Sequence, residues 1–233
     1  SKCILCRRCV AMCNKVQHCG VINAKMRGFA TEIGQAFDVD LADTACAGCG
    51  QCINVCPTGA LTEKSEIENV MQAIADPDKV VIAGVAPSVR VALGEEFGYP
   101  IGTDVEGKMV QALKMLQFDK VFDVNLMADL TILEEANELI ERLTTGGTLP
   151  MITSCSPGWI RFLEYYYPEL IPNISTCKSP QQMFGATIKT YYAEKLGVEP
   201  EKLYVVSVMP CVAKKFEKNR KDQAAAGCKD VDS

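Results

Sequence analysis

Histidine is almost missing: His18 is the only one in 233 residues. That leaves little scope for imidazole-based acid–base or nucleophilic catalysis. No apolar run approaches the roughly 20 residues that a membrane-spanning helix needs. Nor is there a basic excess. The formal net charge is -5 and the isoelectric point near 5.1, so no electrostatic footprint for nucleic acid or an anionic membrane is expected. A signal peptide has no room, because Cys3 already belongs to a motif. Ser1 stands where an initiator Met would, so the chain is expected to be processed or cut from something longer. The expected compartment is the cytoplasm, or the periplasm if an upstream export signal has been removed.

Cysteine is abundant. There are thirteen, and nine fall in residues 1–56. A disulfide framework is the bland explanation, but such frameworks belong to short secreted chains. Gaps of two and three residues argue for metal. The first motif is Cys3-x2-Cys6-x2-Cys9-x3-Cys13. The second is Cys46-x2-Cys49-x2-Cys52-x3-Cys56-Pro57. This is the run of bacterial two-cluster ferredoxins, in which the fourth cysteine of each motif serves the other cluster. Cys3, Cys6, Cys9 and Cys56 are therefore expected to hold one 4Fe-4S cluster, and Cys46, Cys49, Cys52 and Cys13 a second. Two zinc sites are the competing assignment, disfavoured by the full four-cysteine spacing occurring twice. Cys19 and His18 lie outside the pattern and read as a structural thiol and a surface imidazole.

Three stretches differ in character. Residues 1–60 read as an α+β ferredoxin-like domain with two 4Fe-4S clusters. Residues 61–78 read as a connecting helix, with Ile67, Val70, Met71 and Ile74 on one face and a stop at Pro77. Residues 79–233 alternate strands and helices, as in an α/β domain with a mostly parallel sheet. Strands are expected at 79–85, 120–124, 149–153 and 203–208, and helices at 105–116, 129–143, 158–167 and 179–196. The helix over 129–143 is expected to carry Leu130, Leu133, Ala136, Leu139, Ile140 and Leu143 on one side. Three expected strands run into a proline loop: Ala86-Pro87-Ser88, Cys155-Ser156-Pro157 and Met209-Pro210-Cys211. Ligands in open parallel sheets sit beyond the carboxyl ends of strands, so these loops are the candidate site.

TSCSPGW (Thr153–Trp159) and MPCVAKKFE (Met209–Glu217) resemble the first two signature motifs of iron-only (FeFe) hydrogenases. VIAGVAPSVR, DKVFDVNLMADLTILEEANELIERL and YYPELIPNISTCKSPQQMFGA are similar to the same family. The resemblance implies an oxidoreductase that combines protons and electrons reversibly into H2. It implies a third 4Fe-4S cluster joined to a di-iron unit with CO and CN ligands, if the missing ligands are supplied, and ferredoxin or another redox protein as partner. By position, Cys155 matches the thiol that passes protons to the di-iron unit. Glu135, Ser175 and Glu138 match the rest of a proton relay, with Arg142 near its outer end. Cys211 matches a cluster ligand. Lys214, Ala86, Pro87, Ser88, Gln181 and Met209 match residues lining the di-iron pocket.

Read from the residues alone, Glu134, Glu135, Glu138 and Glu141 are a solvated acidic face, and Lys214 a surface lysine. Glu135 and Glu138 are also one helical turn apart and can share a face as a relay. Two departures from the family pattern matter. Ser156 stands where the family has the cysteine that ligates the active-site cluster, and an alkoxide is a harder, more basic ligand than a thiolate. The family's third motif, with two further cysteines, does not occur. The α/β domain is therefore expected to be the first part of an active-site domain, with the remaining ligands on a second polypeptide. The alternative is an electron-transfer or sensory iron–sulfur protein whose hydrogenase-like domain lacks its cofactor. Cys177 and Cys228 read as inert thiols.

Overall fold

The computed structural model describes residues 2–233. Its helices and strands, in chain order, are α1 (Arg8–Ala11), β1 (Asn23–Lys25), β2 (Glu32–Gly34), α2 (Gln51–Asn54) and α3 (Ile67–Ala75). There follow β3 (Val80–Val85), α4 (Pro87–Ala92), α5 (Glu106–Met115), β4 (Lys120–Asp123), α6 (Asn125–Thr145) and α7 (Pro157–Tyr166). The last are α8 (Pro180–Thr187), α9 (Ala193–Leu196), β5 (Leu203–Val208) and α10 (Lys214–Glu217). By packing, the chain falls into two units.

The first unit comprises the stretch ending at Lys64, together with Ser156–Pro172 and Cys211–Ala213. Among its described residues the only sheet is the antiparallel pair β1–β2. α1 is followed by a π-helical turn over Met12–Val16. One buried cluster in this unit comprises Cys9, Cys13, Cys19, Ile22 and Ala47, with Val10, Val55, Leu61 and Phe162 packed around them. Three of these five are cysteines, so cysteine sulfur fills much of this cluster, while Leu163 and Ala213 are also buried in the unit.

The second unit comprises Ser65–Cys155, Asn173–Pro210 and Lys214–Ser233. A three-stranded parallel sheet in the order β4-β3-β5 runs through it. β3 is central and its last five residues are buried, which is why they read as a continuous apolar run rather than an alternating one. The sheet is covered on both faces. Val81, Ala83 and Val206 pack with Val70, Ala73 and Ile74 of α3, with Leu113 of α5 and with Phe118 after it. Ile82, Leu203 and Val205 pack with Met127 of α6, Met183 and Phe184 of α8, and Ile188 and Ala193. Gly84 permits this second contact, since a Cβ there would lie 2.4 Å from the Phe184 ring.

Three expectations need correction. The helix over 61–78 is confined to Ile67–Ala75. Ser65 and the loop before it leave the helix by side-chain capping, its Oγ accepting from the Ile67 N–H at 3.4 Å. Ile67 and Met71 are exposed, and only Val70, Ala73 and Ile74 face the sheet. The strand at 149–153 is a single bridge between Ile152 and Ile174, and Pro150 has no N–H for a ladder.

The largest correction concerns α6. Leu133, Ile140 and Leu143 are about three-fifths exposed, and Leu130 and Leu139 are also exposed. The inward stripe is Met127, Thr131, Glu135, Glu138 and Arg142, at helical spacing. A polar stripe is tolerated inside when it is paired, as Thr131, Glu138 and Arg142 are here.

Candidate iron–sulfur and proton-relay sites

The thiols of the first unit gather in two groups. Cys3, Cys6, Cys9 and Cys56 line one cavity of about 430 Å³, with Pro57 and Leu61. Cys9 lies on α1, and Arg7 before it takes a left-handed backbone that turns the chain into the helix. The Leu61, Thr58 and Ala60 N–H groups point at the Cys56 sulfur and draw its pKa down to about 7, with Ala60 N at 3.2 Å. Burial pushes the Cys9 thiol up, and the nearby Cys6 and Cys3 add to the rise.

Cys13, Cys46, Cys49 and Cys52 form the second group. Burial and the crowding of Cys49, Cys46 and Cys13 raise the Cys52 thiol to about 11. Cys49 is raised by burial, with Cys46 and Cys13 as its charged neighbours. Cys9 and Cys13 are four residues apart, so adjacent turns of one helical segment serve both groups. Crowded thiols resist ionisation together unless a cationic group holds them. Among the described residues, no three ligating side chains converge closely enough for a single metal ion, and no cysteine forms a disulfide. Four soft donors around a cavity of this size suit a multi-iron cluster.

A second cavity in this unit, about 410 Å³, is walled by Ser156, Trp159, Cys211, Cys19, Cys49 and Ala47, among others. Ser156 precedes α7, and Pro157 occupies the first helical position, where no N–H is needed. Cys211 enters on the short return Cys211–Ala213. That return passes close to the second cysteine motif: a Cβ on Gly50 would come within 2.5 Å of Val212 Cγ2, and Gly50 has φ +71°. Only glycine accepts both conditions at low cost. Cys19 is buried, and its carbonyl accepts from the Tyr166 hydroxyl at 2.5 Å. His18 is exposed.

In the second unit, Ala86-Pro87-Ser88 leaves the carboxyl end of β3 and Met209 that of β5. The Ala86 N–H donates to the Val208 carbonyl at 3.0 Å, which fixes the two loops side by side. Beside them lies a buried polar network centred on Glu217. Its Oε2 accepts from Ser179 Oγ at 2.9 Å, Gln181 Nε2 at 3.1 Å and Lys214 Nζ at 3.0 Å. Lys214 Nζ also donates to the Cys155 carbonyl at 2.9 Å. Ser207 Oγ donates to Gln181 Oε1 at 2.8 Å. Lys214 is thus a network member and not a surface lysine. An ammonium has three protons, and two are accounted for.

Ser175 Oγ donates to Glu138 Oε2 at 2.6 Å, and the Thr176 N–H donates to the same carboxylate at 3.0 Å. Arg142 pairs with Glu138 Oε1 at 2.6 Å and donates to the Ile174 carbonyl at 2.7 Å. Burial alone would raise the Glu138 pKa. The hydrogen bonds from Ser175, Arg142 and Thr176 outweigh it, and the carboxyl is held below its ordinary value. Glu135 lacks that support. Burial, then the charge of Glu138, pushes it up. Two carboxyls one turn apart therefore have pKa values driven in opposite directions, an arrangement suited to proton transfer. Glu134 and Glu141 are exposed, so the solvated-face explanation holds for them and not for Glu135 or Glu138.

Sequence reasoning passed over Glu217 and Ser179 as site residues. The signal for Glu217 was its position three after Lys214, one helical turn away. Nothing local marks Ser179.

Residues 79–233 match the family model described as iron only hydrogenase large subunit, C-terminal domain, and residues 2–60 match a 4Fe-4S dicluster domain. The chain is 54% identical to the NADP-reducing hydrogenase subunit HndD of Solidesulfovibrio fructosivorans, over 99% of this chain and 40% of that protein. It is 47% identical to iron hydrogenase 1 of Clostridium pasteurianum, over 100% of this chain and 41% of that protein. Among solved structures, a variant of FeFe-hydrogenase HydA1 from Chlamydomonas reinhardtii aligns with TM-score 0.69 and 42% identity, over 72% of this chain and 44% of that one. The chain thus spans about two fifths of the length of the curated relatives it matches.

Proposed function

The chain belongs to the iron-only hydrogenase large-subunit family, and from that premise we propose that it forms the electron inlet and proton relay of a hydrogenase. The reaction is 2H+ plus two electrons to H2, run in either direction. The observation that carries this reading is the cavity walled by Ser156 and Cys211. Ser156 and Cys211, far apart in sequence, share its wall with Cys49 of the second thiol group.

Cys3, Cys6, Cys9 and Cys56 would hold one 4Fe-4S cluster, and Cys13, Cys46, Cys49 and Cys52 the other. Cys211 would ligate a third, with Ser156 at a second ligand position and the remaining ligands from a second polypeptide or from further residues of the same one. When bound, these groups carry electrons singly, and a di-iron unit supplies the centre at which the H–H bond forms or breaks. Every other part of the work falls to side chains. Arg142 orients Glu138 at the outer end of the relay. Glu138 exchanges a proton with Ser175 Oγ, Glu135 holds the next, and the Cys155 thiol holds it at the inner end. Lys214 offers its remaining N–H to an anionic ligand such as cyanide. Gln181, Met209 and Ala86-Pro87-Ser88 line the pocket. Ferredoxin or another one-electron carrier is the partner, in a compartment that keeps thiols reduced.

The test is iron content with infrared spectroscopy on the intact, iron-loaded polypeptide. CO and CN stretching bands, with H2 evolution from reduced methyl viologen, are expected. Roughly eight irons without diatomic bands would overturn the reading and leave an electron-transfer or sensory protein, which Ser156 would then explain.

A further inference from the structure

Charge is unevenly spread along the first unit. Residues 1–31 contain six basic side chains (Lys2, Arg7, Arg8, Lys15, Lys25 and Arg27) and no acidic one, in a chain with 24 Lys and Arg against 29 Asp and Glu. Lys25 is neutralised by Glu32 and Asp38. Lys2, Arg7, Arg8 and Lys15 are exposed, and none of the four has an ion pair among the described residues. All four border cavities that share Cys56 as wall. Lys2 and Arg7 line the cavity of the first thiol group. Arg8 and Lys15 line a neighbouring open groove of about 580 Å³, with Met12, Val16, Val55 and Cys56.

Arg8 and Lys15 lie on the segment formed by α1 and the π-helical turn after it, and both border the groove. Met12 lies between them and Val16 is 58% exposed at the rim. Val55, Cys56 and Pro57 form the opposite wall. No acidic residue lines either cavity. An apolar floor between unpaired cations, against a thiol of the first group, would bring a partner's own redox centre close to that group. Cations at the rim of an apolar contact steer oppositely charged partners and raise the association rate.

We propose that this groove is the docking site of an acidic one-electron carrier protein, whose carboxylates meet Arg8 and Lys15 and whose apolar tip seats against Met12, Val16 and Pro57. The proposal rests on the reading that the first unit is an electron inlet. It does not need the H2 chemistry.

The experiment follows bleaching of the clusters in the intact, iron-loaded protein by stopped flow. The donors are a reduced plant-type two-iron ferredoxin, which is strongly acidic, and reduced methyl viologen. For the ferredoxin, the second-order rate should fall about tenfold or more between roughly 20 and 200 mM salt. In Arg8→Glu/Lys15→Glu it should fall at least about tenfold at low salt, while methyl viologen reduces the variant at an undiminished rate. Arg8→Gln/Lys15→Gln, which removes charge without reversing it, should lie between. A ferredoxin rate indifferent to salt and to both variants, with normal viologen reduction, would overturn the proposal and point to another segment covering the groove. Salt-dependent bleaching without H2 evolution would support the docking site while counting against the hydrogenase reading.

Discussion

The first unit is built from cysteine and the second from aliphatic and aromatic side chains. In the first, the largest buried cluster is Cys9, Cys13, Cys19, Ile22 and Ala47, and two of these are expected metal ligands. In the second, Ile82, Phe184, Leu203 and Val205 on one face of the sheet, and Val81, Ala83 and Phe118 on the other, form cores that owe nothing to metal. The difference teaches where each unit's stability comes from. A unit whose interior includes expected metal ligands is expected to fold with its metal, because binding free energy is then folding free energy. A sheet covered on both faces folds on burial.

Iron removal is the harshest test of that contrast. Chelation under reducing conditions should abolish hydrogen-exchange protection across residues 8–56 while β3 and β5 keep theirs. Equal loss in both units, or protection retained in the first, would break the comparison. Phe184→Ala probes the other side. Phe184 is 2% exposed and stacks edge-on to Phe122, so about 4 kcal/mol should be lost, with the iron bound by the first unit unchanged.

Glu138→Gln should cost about 2 kcal/mol in the second unit by leaving Arg142 imperfectly paired. H2 turnover should fall about a hundredfold or more if the relay operates. The pH dependence has a definite sign. The folded Glu138 carboxyl lies below its ordinary value of about 4.3. Its stabilisation is therefore complete above that value and lost as pH falls through the depressed folded pKa. Glu135 acts oppositely. Its folded pKa is raised, so its charge destabilises at neutral pH and protonation relieves that cost. Chemical denaturation of Glu138→Gln and Glu135→Gln from pH 3 to 7 separates the two.

Gly50→Ala should destabilise the first unit by about 1–2 kcal/mol, through both the left-handed backbone and the collision with Val212. Adding Val212→Ala should recover the steric part, seen as a partial return of the thermal midpoint. The smallest effect is the sharpest check on α6. Leu133→Gln should change stability by less than about 0.5 kcal/mol, because Leu133 is 63% exposed. A loss of several kcal/mol would restore the face expected from the sequence.

Legibility differed in the same way as construction. The two cysteine motifs were readable because their ligands lie within one or two turns of each other, so spacing alone limits the geometry. β3 and β5 were readable as short buried apolar runs. α6 was recognised as a helix and turned the wrong way. Its leucines outweigh its polar stripe, and nothing local announces that Ser175 and the Thr176 N–H will meet Glu138. The run at 149–153 carried a strand pattern that Pro150 keeps from extending.

By itself, then, the sequence determined the two four-cysteine motifs, β3, β4 and β5 and the main helices between them, because those depend on patterns among near neighbours in the chain. The tertiary structure alone decided that Ser156 and Cys211 wall one cavity with Cys49, that Glu217 anchors Lys214, and that Glu135 and Glu138 face inward with divergent pKa values. These depend on packing that residue type alone does not announce: Ser175 and Ser179 reach Glu138 and Glu217 across tens of residues, and burial and pairing set the energy of each charge.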